Sequence, residues 1–84
     1  MNKKYYKSRL FPYIYEVTAD TYTVFRLSRR EMAKFCMNNA LDGFDGDSAM
    51  VEMPKKAFLD TLDAHNMTKL IQEDSLKLKI LRAF

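Results

Sequence analysis

The 84-residue chain contains no tryptophan, one cysteine, one histidine, two glycines and two prolines. Cys36 has no second cysteine with which to form an internal disulfide, so the fold does not depend on an oxidising compartment. No apolar run approaches the roughly 20 residues of a membrane-spanning helix. The basic N-terminus lacks the apolar stretch and the cleavage site of a signal peptide. We therefore expect a cytoplasmic protein that does not enter a membrane.

The motifs of common catalytic and metal-binding sites are also missing. There is no phosphate-binding glycine loop and no H-E-x-x-H, and the single histidine has no cysteine or second histidine at metal-ligand spacing. The acidic residues after Asp42 do not form a calcium loop, because its third position would be Phe44 and its twelfth Met53. We expect no enzyme activity, metal or cofactor; a small hydrolase that uses Asp60, Asp63 or the histidine is an alternative.

The length of the chain allows one domain with one thin core. Hydrophobic residues make up 48 % of the chain and charged residues 30 %, a composition typical of a globular protein. Six methionines, five tyrosines and six phenylalanines are more than one thin core needs. This surplus favours a homodimer as an alternative to a monomer.

Alternating apolar and polar residues predict a β-hairpin in the first third of the chain. The two runs are residues 12–18 and 21–27, which are rich in tyrosine, valine and threonine and are separated by a short polar break. Residues 1–11 are mostly polar and basic, and we assign them to a basic arm or edge segment. The remaining residues, 12–84, are expected to form a single α+β domain.

A capping-box pattern predicts the first helix. Ser28 and Glu31 have the spacing at which each side chain satisfies a backbone N–H group of the other residue. The helix is then expected to continue to Leu41 or Asp42, with an apolar stripe on one face. This interpretation places Cys36 on that stripe as an inert core thiol.

The second half of the chain predicts a short strand, a second helix and an ambiguous end. Residues 49–53 are the strand, and Pro54 opens a helix that continues to about His65. In residues 67–84 leucine and isoleucine alternate with lysine, which favours a second hairpin over a helix. The predicted order is β-β-α-β-α-β-β, an antiparallel or mixed sheet with two helices on one face. The predicted inner face of the second helix consists of Phe58, Leu59, Leu62 and His65.

Charge is distributed unevenly along the chain. Residues 1–34 carry a net charge of +5, residues 35–63 of −4 and residues 64–84 of +2, although the whole chain carries only +3. Cations track a phosphate backbone, and tyrosine rings stack on unpaired bases. The candidate binding residues are therefore bases and tyrosines of the first 34 residues: Lys3, Lys4, Tyr5, Tyr6, Lys7, Arg9, Arg26, Arg29, Arg30 and Lys34.

These observations predict a small non-enzymatic protein that binds RNA or single-stranded nucleic acid through a basic, tyrosine-containing surface. The alternative is that the same surface binds an acidic or nucleic-acid-binding protein. In size, composition and lack of a catalytic motif, the chain resembles short bacteriophage-encoded proteins that bind and block a host or defence enzyme. That resemblance implies an inhibitor or adaptor, with nucleases among its targets. The simplest alternative is that the charges form only a solvated face.

Overall fold

The computed structural model describes residues 2–70, which form a five-stranded antiparallel sheet with two short helices and a further helical turn at residues 68–70. The sheet order is β4-β3-β2-β1-β5, and every pair of neighbours is antiparallel. An α+β fold with an antiparallel sheet is therefore confirmed. The elements are β1 (Lys4–Ser8), β2 (Tyr13–Val17), β3 (Thr21–Arg26), β4 (Glu31–Cys36), α1 (Ala40–Gly43), β5 (Met50–Met53) and α2 (Lys55–Ala64).

The predicted first hairpin is present as β2 and β3. Ile14 is paired with Phe25, and Tyr15 with Val24. Because successive side chains in a strand point to opposite faces, Ile14 and Phe25 pack on one face of the sheet while Tyr15 and Val24 pack on the other. The alternation of the sequence therefore identified both the strands and their faces correctly.

Strand β1 lies inside the sheet, between β2 and β5. We predicted a basic arm or edge segment in residues 1–11, and the structure places Lys4–Ser8 in a strand that is paired on both sides. Tyr5 packs into the core on one face, and Tyr6 packs among aromatic residues on the other. The packing of these two tyrosines stabilises the strand within the sheet. The exposed lysines beside them are the reason why the sequence predicted a basic arm.

The prediction of a helix that begins at Ser28 is wrong. Residues 27–30 form a turn, and Glu31–Cys36 forms the edge strand beside β3. Arg30 has a φ of 51°, the left-handed conformation that ends the turn. Pairing with β3 satisfies backbone groups of these residues, which outweighs a local capping signal. As a consequence, Cys36 is exposed at the end of β4 and is not a core residue.

Helix α2 follows Pro54 and ends one residue before His65, as predicted. Phe58 and Leu62 are fully buried, whereas Leu59, which we predicted on the inner face, is 40 % exposed. The main core therefore lies between α2 and one face of the sheet. Its buried members are Tyr5, Ile14, Phe25, Phe58, Leu62 and Met67.

Helix α1 covers the opposite face of the sheet, where Ala40 is buried against Tyr15 and Val17. The two helices thus lie on opposite faces, and the prediction of two helices on one face is wrong. Only the first four positions of the predicted C-terminal hairpin, residues 67–84, are described, and residues 68–70 are helical there instead of extended. The remaining positions lie outside the described residues. Neither helix of the described range has the length and apolar character needed to cross a bilayer.

Candidate functional site

A groove lined by aromatic rings crosses the sheet face opposite α2. It encloses a cavity of about 400 Å³. Strands β2, β3 and β4 supply its floor, and residues 43–46, which end α1 and lead towards β5, supply one wall. We call this feature the aromatic groove and use the name for the site lined by Tyr13, Tyr22, Phe35, Phe44, Arg26 and Asp45.

The register of the strands aligns the rings on the groove floor. Tyr22 on β3 is paired with Phe35 on β4, and their rings stack with centroids 4.8 Å apart and an interplanar angle of 18°. Phe35 is 42 % exposed, so part of its ring faces solvent. Tyr13 on β2 is paired with Arg26, which places a ring and a guanidinium group side by side at the other end of the floor.

Phe44 closes one side of the groove. Its ring centroid lies 5.6 Å from that of Tyr6, 5.4 Å from Tyr15 and 5.1 Å from Tyr22. Aromatic pairs at these separations attract one another beyond the effect of their buried area. The contacts therefore hold the loop after α1 against the sheet.

A hydrogen bond to a sheet residue fixes the same loop. The Tyr15 hydroxyl donates to Oδ2 of Asp47 at 2.9 Å, and Oδ1 of Asp47 accepts from the backbone N–H of Ala49 at 3.0 Å. Burial, together with this hydrogen bond to the carboxylate, raises the pKa of Tyr15 well above its ordinary value of 10.0. The Tyr15 hydroxyl is therefore protonated at neutral pH and acts as the donor in this hydrogen bond.

Gly46 is required by the conformation of this loop. It has a φ of 51°, and a Cβ atom there would collide with Sδ of Met50. We expect Gly46→Ala to lower the free energy of unfolding by about 1–3 kcal/mol, because alanine is strained in this backbone region. Urea denaturation followed by circular dichroism measures the change.

Gly43→Ala is the matched control for that substitution. A Cβ atom at Gly43 would lie 3.5 Å from Cε of Met37, an ordinary van der Waals contact. Gly43 is part of α1, where alanine is favoured over glycine by about 0.5–1 kcal/mol. Equal urea midpoints for the two variants would show that the loop does not need glycine at position 46.

The structure separates most of the predicted basic residues into two groups at opposite ends of the sheet. The backbone N–H of Leu27 donates to the carbonyl oxygen of Pro12 at 2.8 Å, which joins the β1–β2 turn to the β3–β4 turn. We call the first group the arginine end. It consists of Arg26, the last residue of β3, and of the exposed bases of the two turns, Arg9, Arg29 and Arg30. The second group, the lysine end, lines a hollow of about 500 Å³ beside the start of β1: Lys3, Lys4 and Lys55.

Arg26 connects the arginine end to the aromatic groove. Its Nη1 atom donates to Oε1 of Glu31 at 2.9 Å, an ion pair across the last paired residues of the β3–β4 hairpin. This hydrogen bond raises the pKa of Arg26, so the guanidinium remains charged. Arg26 lines the groove and also a neighbouring hollow of about 280 Å³ that includes Ser28 and Arg29. Arg26 is therefore shared by the arginine end and the groove, and Glu31 balances part of its charge.

The other predicted site residues lie away from this surface or are partly covered. Tyr5 is only 6 % exposed, and its ring centroid lies 4.6 Å from that of Phe58, so it is a core residue. Tyr6 is half-buried beneath Phe44. Lys7 and Lys34 are on the sheet face that carries α2, according to their strand register. The structure thus brings together four of the predicted bases but neither of the N-terminal tyrosines.

Sequence reasoning missed the rings that line the groove. The alternation of residues 21–27 puts Tyr22 and Arg26 on the same face of a strand, which is a signal that the sequence does contain. Phe35 was not recognised because its segment was assigned to a helix. Phe44 and Asp45 belong to the acidic segment after Asp42, and no local pattern in the sequence indicates that this segment folds onto the sheet.

No protein-family model matches the chain, and comparisons with curated proteins and with solved structures found no significant similarity. Within residues 2–70 there is no group of three or more side chains suited to hold a metal ion.

Proposed function

We propose that the protein binds RNA or another single-stranded nucleic acid and catalyses no reaction. The observation that supports this best is the aromatic groove itself, where the stacked pair of Tyr22 and Phe35 shares one sheet face with Tyr13 and Arg26. Unpaired bases stack on aromatic side chains of a sheet, and the backbone of the strand is held by cations. The groove and the arginine end offer both kinds of contact on one continuous surface.

The spacing of the groove suits a short unpaired segment. Tyr22 and Arg26 are four residues apart on β3, which corresponds to about 13 Å along a strand. Tyr13 is paired with Arg26, so the two ends of the floor each present a ring. Sheet platforms of this kind take about two or three bases. A duplex does not expose its base faces, and we therefore expect a preference for single strands.

Phe35→Ala tests the proposal directly. Loss of one stacking ring is expected to weaken binding of a labelled single-stranded RNA by about 5- to 150-fold, the equivalent of about 1–3 kcal/mol. Fluorescence anisotropy at low salt measures the affinity. Because Phe35 is partly exposed on an edge strand, the fold should tolerate the change.

Val51→Ala is the matched control, since Val51 is an exposed apolar residue of the other edge strand, β5, and does not line the groove. Its RNA affinity should equal that of the unchanged protein. The proposal fails if neither RNA nor single-stranded DNA binds at low salt. It also fails if Phe35→Ala and Val51→Ala bind equally well.

A second candidate function is supported by two exposed apolar side chains at the arginine end. Leu10 is 67 % exposed and Phe11 is 49 % exposed, next to Arg9. Adjacent exposed apolar groups flanked by arginine are typical of protein contacts. The second proposal is an inhibitor or adaptor that binds an acidic or nucleic-acid-binding enzyme. A protein complex that survives nuclease treatment would favour it over the first.

A further inference from the structure

We infer that Asp45 makes the aromatic groove selective for guanine among unpaired bases. The inference rests on the proposed function and concerns the same groove. Asp45 lines the groove together with Arg26, so the site contains both an anion and a cation. Because a carboxylate repels phosphate groups, the contact that Asp45 can make with a bound strand is with the edge of a base.

The position of Asp45 leaves its carboxylate available for such a contact. It is exposed, and the described residues provide it with no hydrogen bond or ion pair. Gly43 and Gly46 line the same wall and have no side chains that would separate a base edge from it. The phosphate backbone is expected beside Arg26, which lines both the groove and the neighbouring hollow of the arginine end.

Hydrogen-bond chemistry then decides which base fits. A carboxylate is only an acceptor, with two oxygens that take bidentate donors. On its Watson–Crick edge, guanine presents two adjacent donors, the N1–H and the N2 amino group. Adenine and cytosine each present one amino donor beside an acceptor nitrogen, and uracil presents one N–H between two carbonyl oxygens. Guanine is therefore expected to bind best and uracil worst.

Oligonucleotides that differ at one position test this order. A short oligouridine with one central guanosine is compared with the same strand carrying adenosine, cytidine or uridine there. A bidentate base contact is expected to favour guanosine over uridine by about 5- to 150-fold. Asp45→Asn should abolish most of this preference, because an amide offers one acceptor and one donor. The same change should raise the affinity for oligouridine, since a negative charge is removed.

Asp42→Asn is the matched control, because it removes the same charge from an exposed residue of α1 that does not line the groove. It should leave the preference for guanosine intact. Guanosine monophosphate, added as a competitor, should displace the strand only at far higher concentration, because it cannot also reach the arginine end. Displacement at a concentration similar to that of the oligonucleotide would instead indicate a site for the free nucleotide.

The outcomes separate this inference from the proposed function. Equal affinities for the four strands, or a guanosine preference that survives Asp45→Asn, would overturn the role of Asp45 while binding that depends on Phe35 still stands. Absence of binding to every strand would overturn the proposed function, and the inference with it. A guanosine preference that is lost only in the Asp45 variant supports both.

Discussion

Replacing Phe58 with alanine is expected to remove a large share of the stability of the protein. Phe58 is 0 % exposed, and its ring centroid lies 4.6 Å from that of Tyr5 and 5.3 Å from that of Phe25. Truncating a buried phenylalanine costs about 3–5 kcal/mol. A domain of this length has a free energy of unfolding of only about 4–13 kcal/mol. The urea midpoint should therefore fall steeply, and a protein at the lower limit would be largely unfolded in buffer.

Leu59→Ala is the control for this prediction, because it truncates the neighbouring residue of the same helix, whose side chain is 40 % exposed. The free energy of unfolding should change by about 0.5 kcal/mol or less. Denaturation curves of the two variants, measured side by side, test which face of α2 is buried. Similar midpoints would contradict the arrangement of the core described above.

Local patterns in the sequence were sufficient for β2, β3, β5 and α2. The alternation of residues 12–18 and 21–27 corresponds to real strand faces, and Pro54 marks the start of a real helix. These signals succeed because the side chains that determine each element lie within a few residues of one another. The class of fold and the separation of the two sheet faces follow from them.

The errors concern segments whose structure depends on distant partners. Strand β1 is stabilised on its two sides by β2 and β5, and residues 50–53 lie more than forty positions away in the sequence. The segment from Ser28 carries a helix-capping pattern, but pairing with β3 makes a strand of Glu31–Cys36. Propensity is a weak local preference, and tertiary pairing overrides it.

The candidate site was predictable in its charges but not in its shape. The charge distribution of the sequence predicted Arg9, Arg29 and Arg30 as candidate binding residues, and the structure places all three at one end of the sheet. The loop that walls the groove is fixed by the hydrogen bond from Tyr15 to Asp47, which are 32 positions apart. A contact of that range leaves no periodic signal in the sequence.

Neutralising the arginine end is expected to cost far more RNA affinity than neutralising the lysine end. Arg26 is left unchanged, because its ion pair with Glu31 joins the two strands of the β3–β4 hairpin. Each phosphate contact with a single strand contributes about 0.7 to the slope of log affinity against log salt. Removing three such contacts should lower the affinity about 100-fold at about 0.1 M salt and reduce the slope by about 2. The substitutions are Arg9→Gln, Arg29→Gln and Arg30→Gln.

A variant of the lysine end provides the matched control, since it also removes three positive charges and takes the net charge of the chain from +3 to zero. Both variants therefore lose the same long-range attraction for a nucleic acid, and only contacts at the site distinguish them. Anisotropy titrations between about 50 and 200 mM salt give both the affinities and the slopes. Equal losses would mean that net charge alone governs binding, and a greater loss from the lysine variant would move the phosphate contacts to the start of β1. The control substitutions are Lys3→Gln, Lys4→Gln and Lys55→Gln.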